Sequence, residues 1–167
     1  YYTISTPFAF AFSSNTRVIY ITYKEVKNYI YETWKNAGAS LIRIMNQLHI
    51  SDIEVDMAEL FAEIGSEESY IQFCLGMFLA SYSFDYYVGE KRLKEKNNIN
   101  NILLVSDHKK DTENAINVAS NISEHICWAR DMVNEPSNTI NSLTFVDRAK
   151  KIAEKKKITA VVLDEKQ

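Results

Sequence analysis

His49, His108 and His125 are the only imidazoles of the chain. Zinc ligands usually come as pairs at short spacing, three or four residues apart on one helix. These three are scattered, and none stands at ligand spacing from a cysteine, so they read as surface or hydrogen-bonded histidines. Asp52, Glu54 and Asp56 alternate and therefore share one face of a strand. Three such carboxylates can hold a hard cation. Strand alternation produces the same row as a solvated outer face, and that is the reading taken. Cys74 and Cys127 lie far apart in apolar, helix-like contexts. They read as buried thiols, not as a disulfide framework, which suits a reducing cytoplasm. Arg148, Lys150, Lys151, Lys155, Lys156 and Lys157 form a basic cluster with the means to bind phosphate. Phe145, Ala149, Ile152 and Ala153 define an inward face between them, so most of these charges read as the solvated exterior of a helix. Tyr82, Phe84, Tyr86 and Tyr87 cluster as base-stacking platforms do, but no basic groove interleaves them. They read as packing residues of a core or domain interface. No catalytic and no metal-ligating residue is therefore assigned in this chain.

The composition narrows the classes further. The 167 residues are 46% hydrophobic and 25% charged, the proportions of an ordinary globular protein. The aromatic and aliphatic content argues against disorder. A net charge of −3 argues against a dedicated nucleic-acid binder. No apolar run approaches the roughly 20 residues that span a bilayer. No Lys or Arg precedes Arg17, so the charged start of a signal peptide is missing.

The elements follow from periodicity. Residues 7–13 read as a short strand, and Arg17–Tyr23 as a strand buried on both faces. Val26, Ile30, Trp34, Ala37, Leu41, Ile44 and Leu48 make one stripe of a helix over 24–48. Gly38 interrupts it, either for close approach of another element or at a bend. Ser51–Met57 reads as a half-exposed strand. A helix opens after Gly65 with Ser66 as its N-cap, and Ile71, Cys74, Leu75, Phe78, Leu79 and Tyr82 form its apolar face. Gly89–Asn101 is polar and reads as a loop. Ile102–Ser106 reads as a buried strand. Asp111 or Thr112 caps the next helix, with Ala115, Ile116, Ala119, Ile122, Ile126, Ala129 and Val133 inward, and Pro136 stops it. Asn141 or Ser142 caps another helix. Ile158–Leu163 reads as a final strand. The alternation implies an α/β layered fold with a largely parallel or mixed sheet.

Two segments carry a resemblance. One is Leu75-Gly76-Met77-Phe78-Leu79-Ala80-Ser81-Tyr82-Ser83-Phe84-Asp85-Tyr86-Tyr87; the other is Ala129-Arg130-Asp131-Met132-Val133-Asn134-Glu135-Pro136-Ser137-Asn138. Together they resemble the leucyl aminopeptidase (cytosol aminopeptidase) family of two-metal exopeptidases. In that family a helix ending Leu-Gly-Ser-Tyr-x-Phe-Asp-x-Tyr lies in the N-terminal domain. A later helix ends Ala-Arg-Asp-Leu-Val-Asn-x-Pro-x-Asn at the passage into the catalytic domain. Trp34-Lys35-Asn36-Ala37-Gly38-Ala39 is similar to the family's first long helix. Departures stand at Ala80, where glycine is frequent, at Val88, where lysine is frequent, and at Ser142, where proline often opens the next helix.

The resemblance implies a macro-domain-like mixed sheet flanked by helices over residues 1–122, with a front that is short or trimmed. It implies a linking helix and joint over 123–138, and the first helix–strand of an incomplete catalytic domain over 139–167. Gly76, Tyr82, Phe84 and Asp85 are then the motif residues of the first helix, and Arg130, Asp131, Asn134, Pro136 and Asn138 those of an inter-domain joint. The parent would be a cytoplasmic hydrolase using two divalent metals, zinc or manganese, to remove N-terminal residues from peptides. The metal and catalytic motifs of the family, resembling Gly-Lys-Gly-x-Thr-Phe-Asp and Asn-Thr-Asp-Ala-Glu-Gly-Arg, do not occur here. The implied partners are the chain's own catalytic domain and further copies, since the family forms hexamers; membranes and nucleic acid are not among them. The rival class is a macro-type module binding ADP-ribose or nucleic acid, against which the four glycines argue. Ile158–Leu163 is expected to be disordered or to pair with another copy if nothing covers its edge.

Overall fold

The computed structural model describes residues 9–13, 16–20, 30–57, 66–94 and 99–163. Two compact units divide the chain, Tyr1–His125 and Ile126–Gln167. Val26, residues 21–23 and Gly65 of the expected elements lie outside the described residues.

In the first unit, strands β1 (Ala9–Ser13) and β2 (Thr16–Tyr20) pair antiparallel, with Ala9 opposite Tyr20 and Ser13 opposite Thr16. The burial expected for β2 falls outside what is described. Helix α1 (Ile30–Gln47) follows, then β3 (Asp52–Asp56), α2 (Glu67–Ser81), the short α3 (Glu90–Lys94), β4 (Asn101–Val105) and α4 (Lys109–Asn134), whose residues from Ile126 on belong to the second unit. Strands β3 and β4 are parallel, with Ile53 opposite Ile102 and Val55 opposite Leu104. Among the described residues the strands thus form two separate two-stranded ladders and not one central sheet.

The core sits where α1 crosses α2. Trp34, Leu41, Ile42 and Met45 of α1 meet Tyr70, Phe73, Cys74 and Met77 of α2, with Met57, Ala115 and Ala119 closing the cluster. A Cβ built on Gly38 would strike the carbonyl of Phe73 and lie 3.1 Å from the Met77 nitrogen. One built on Gly76 would strike the carbonyl of Lys35 and lie 3.0 Å from the Ala39 nitrogen. Each glycine is the socket for the other helix's backbone. Of the two readings of Gly38, close approach is therefore the right one.

Several expectations need correction. Helix α2 was expected to bury one face, but Ser69, Tyr70, Phe73 and Met77 are buried along with Ile71, Cys74 and Leu75, so it is enclosed on more than one side. The Gly89–Asn101 stretch holds a helical turn, α3, and Asn101 already belongs to β4. Strand β4 is not buried on both faces: Leu103 and Val105 are exposed while Ile102 and Leu104 pack inward. Helix α4 begins at Lys109, so Asp111 and Thr112 lie inside its first turn and cap nothing; the Thr112 hydroxyl donates to the His108 carbonyl at 3.1 Å. Its buried stripe in the first unit runs through Thr112, Ala115, Ala119 and Ser123, while Ile122, and Val133 in the second unit, face solvent.

Local signals fared better. The Ser66 hydroxyl accepts the Ser69 backbone N–H at 3.3 Å and caps α2. Asn114 ties that end to α4 by donating to Glu67 at 2.5 Å. At the far end of α1, the Ile50 N–H donates to the Met45 carbonyl at 2.8 Å and His49 takes a φ of 53°. This is a Schellman-type stop, where glycine is the usual residue. His49 is thus a helix-stop residue held in the left-handed region, which strains any side chain. His49→Gly is expected to stabilise the chain by roughly 0.5–1 kcal/mol, less whatever glycine's extra freedom when unfolded takes back. Urea denaturation checks it: an unchanged or lowered midpoint would contradict the strain argument.

In the second unit, helix α5 (Ser142–Lys155) opens with Asn141, whose side-chain oxygen accepts the N–H groups of Leu143 and Thr144, both at 3.1 Å. The Thr144 hydroxyl accepts the Asn141 N–H at 2.8 Å, completing a reciprocal cap. The inward face expected of α5 is not buried: no residue of the helix is, and Phe145 is exposed. Ile158–Leu163 forms no strand; Ile158, Val161, Val162 and Leu163 are exposed. A β-prone run needs a ladder partner to become a strand, and none is paired with it among the described residues.

Candidate functional site

Gly76 lies in the glycine socket just described, and α2 then delivers the rest of the first motif. Tyr82 is the C-cap of that helix, in extended backbone. The Phe84 ring packs against Tyr86 at 5.3 Å and Tyr87 at 5.8 Å between centroids, both tilted. Ser83 donates its hydroxyl to Asp85 at 2.6 Å, and the Asp85 carbonyl accepts the Val88 N–H. Tyr86 and Tyr87 are 72% and 61% exposed, so the aromatic turn packs on itself and leaves two rings on the surface. Of the two readings of this cluster, core packing does not hold for Tyr86 and Tyr87.

The first unit also holds a pocket of about 170 Å³, lined by Cys74, Met77, Phe78 and Ser81 of α2, Ile102 and Leu104 of β4, and Ile116 of α4. The one hydroxyl there, of Ser81, donates to the Met77 carbonyl at 2.9 Å. Burial pushes the Cys74 thiol up to about 11, so it is protonated and inert near neutral pH. Burial also pushes the Tyr70 phenol upward, and its hydroxyl donates to the Met57 carbonyl at 3.4 Å. The lining offers packing and no nucleophile with an adjacent base.

The carboxylate row is real but divided. Asp52, Glu54 and Asp56 are all exposed on one face of β3. Asp52 accepts hydrogen bonds from the Ser51 hydroxyl and the Asn101 amide, which hold its carboxyl below the usual value. Among the described residues no three His, Cys, Asp or Glu side chains gather as a metal site.

The second motif occupies the end of α4 and the turn after it. Arg130 is exposed, Asp131 is half-buried, and Asn134 is the last helical residue. Pro136 and Asn138 are exposed; the Pro136 carbonyl accepts the N–H groups of Thr139 and Ile140, bending the chain toward α5. Two further residues hold this bend. Arg148 of α5 pairs with Glu135 at 3.6 Å and reaches the Met132 sulfur at 3.7 Å, and Glu135 is only 9% exposed. Trp128 faces Phe145 at 6.5 Å. Of the basic cluster, Arg148 is thus one that does more than solvate the helix exterior. A basic residue near an inward α5 position, sixteen residues after Met132 and opposite an acid in the motif, was the available signal. The two motifs fall in different units.

No family model matches the chain. It is 29% identical over 144 residues to a probable cytosol aminopeptidase of Phytoplasma mali (strain AT), covering 81% of this chain and 27% of that protein. A probable cytosol aminopeptidase of Aquifex aeolicus (strain VF5) is 31% identical over 142 residues, again 81% of this chain and 26% of the relative. A third, of Xanthobacter autotrophicus, is 35% identical over 105 residues, 62% of this chain and 21% of the relative. Two structures of the bottromycin maturation enzyme BotP share the fold. One gives a TM-score of 0.66 at 18% identity, over 92% of this chain and 32% of that one. The other, in complex with Mn, gives 0.64 at 19% over 89% and 30%. The chain spans about a quarter of the length of the first two of these curated relatives. On that similarity, this chain is a sequence relative of the cytosol (leucyl) aminopeptidase family.

Proposed function

We propose that this chain is the non-catalytic N-terminal portion of a two-metal, leucyl-type aminopeptidase. Residues 1–122 form its macro-like domain, 123–138 its linking helix and joint, and 139–167 the start of the catalytic domain. The observation that carries the reading is the sequence similarity to cytosol aminopeptidases over four-fifths of this chain, against about a quarter of theirs. The pinned bend at Glu135 and Arg148 supports it, because a domain that governs assembly and access needs a fixed exit direction. In this reading the parent is a cytoplasmic hydrolase of peptides, assembled as a homo-oligomer. Its two divalent metals, zinc or manganese, are held by residues other than those described here. When bound, such a pair activates water and polarises the scissile carbonyl.

Hydrolysis of a leucyl anilide separates the roles. The 167-residue chain is expected to release no product above buffer, with or without added manganese or zinc. The parent, carrying the sequence that follows Gln167, is expected to hydrolyse it and to stop on chelation. Chelator-sensitive turnover proportional to the concentration of the chain alone would overturn the proposal. Calorimetry with ADP-ribose covers the rival module: binding in the micromolar range would put it first. Two of the four glycines, Gly38 and Gly76, are committed to the helix crossing and are not free for a phosphate loop.

A further inference from the structure

The pocket of about 170 Å³ in the first unit has walls of one chemical kind. Cys74, Met77, Phe78 and Ser81 follow one another at steps of three, one and three, so α2 turns a single stripe toward it. Ile102 and Leu104 are alternate residues of β4 and stand on the same side of that strand, with Ile116 of α4 completing the wall. Cys74 and Met77 are buried, Phe78 is half-buried and Ser81 is exposed. The pocket therefore runs from the core along about two turns of α2 toward the C-terminal end of that helix.

None of these described residues carries a formal charge near neutral pH, because burial pushes the Cys74 thiol up to about 11. The Ser81 proton is committed to the Met77 carbonyl at 2.9 Å. A water molecule held here needs several polar partners, and the lining side chains offer one hydroxyl and two sulfur atoms, which are weak ones. Protein interiors are packed closely enough that a space of this size is exceptional. In another protein an apolar cavity of about 150 Å³ stays dry and takes up benzene.

We infer that this pocket is a binding site for a small uncharged aromatic molecule, one ring in size. The volume sets the size. The two sulfur-bearing side chains, Cys74 and Met77, and the Phe78 ring favour an aromatic guest over an aliphatic one, because sulfur and ring edges are drawn to π systems. A charged guest is excluded, since the walls hold no counter-charge and little to replace its hydration. The inference does not rest on the aminopeptidase reading: it concerns the first unit alone, and its test involves no peptide.

The 167-residue chain, isotope-labelled at its methionine methyl groups, carries a reporter in the pocket at Met77 and a remote one at Met132 in the second unit. Titration with toluene, followed by nuclear magnetic resonance, is expected to shift the Met77 signal saturably and to leave that of Met132 in place. Met77→Leu identifies the signal. Benzoate, a ring of the same size bearing a charge, is expected to shift neither. Methylcyclohexane, equally apolar but without a π face, is expected to bind more weakly than toluene. Leu104→Phe fills the pocket with a ring of the protein's own, and Ser81→Leu fills its exposed end. Each is expected to keep the wild-type helix content and to lose the toluene shift; one folded variant suffices for the comparison. A Met77 signal that stays still, or moves without saturating, overturns the inference. So does a shift that Met132 shares, that benzoate also produces, or that a filled and folded variant retains. Equal affinity for methylcyclohexane would overturn the preference for an aromatic ring.

Discussion

Gly76→Ala is expected to be among the most damaging single substitutions in the first unit. The added Cβ would strike the Lys35 carbonyl and come within 2.8 Å of its carbon. Those atoms are helix backbone, which cannot swing aside as a side-chain tip can. Alanine's better helix propensity returns only about 1 kcal/mol. Overpacking in a tight core costs roughly 1–3 kcal/mol and sometimes more, and here two helices must part to relieve it. Against a total stability of about 5–15 kcal/mol, Gly76→Val should leave little cooperative structure. Gly38→Ala meets the Phe73 carbonyl and should behave alike. The double alanine variant should cost less than the sum of the two, because the first substitution already separates the helices. Gly89→Ala is the control: nothing lies within 4 Å of its Cβ. Urea denaturation followed by circular dichroism reads all five. A Gly76→Ala midpoint equal to that of Gly89→Ala would refute the socket.

Alkaline pH should loosen the same core. Cys74 is fully buried, and burial pushes its thiol from 9.0 up to about 11. The folded state therefore holds a proton that the unfolded chain releases first. The stability tied to this proton is intact below about pH 9 and falls as pH rises toward 11, by an amount on the order of 3 kcal/mol. Tyr70 is shifted in the same direction by burial and extends the decline above pH 10. Cys74→Ala should lower the starting stability by leaving a small void, yet flatten the slope between pH 9 and 11. Unfolding midpoints of the two proteins across that interval decide it. Parallel curves would show that Cys74 does not carry the effect.

What could be read from the residues was what is decided locally. Ser66 and Asn141 cap helices because their side chains need only the next turn. Pro136 stops α4 wherever the rest of the molecule lies. The alternation of Asp52, Glu54 and Asp56 sets their face whatever packs behind it. The misreadings are all tertiary. Leu103 and Val105 are as apolar as Leu104, and only the pairing with β3 and the core behind it decides which of them faces solvent. The enclosure of α2 depends on α1, β4 and α4 at once. Arg148 looked like one more surface charge until Glu135, from another helix end, was placed beside it. His49 offered no sign of a left-handed backbone, since histidine is not the residue that position usually takes. For the site, the Arg148–Glu135 ion pair at the bend was not legible, because it joins two helices.

The reciprocal sockets at Gly38 and Gly76 also make the register of α1 on α2 discrete. A slide of one helical turn along α1 would bring Trp34 or Ile42, four residues to either side, onto a spot with room for a hydrogen only. No intermediate position relieves the clash, because the obstruction is main chain on both sides. The pair therefore behaves as a keyed joint. Force applied at Ser66 or at Tyr82, the two ends of α2, reaches α1 as a displacement of the whole pair and is not dissipated by slippage between the helices.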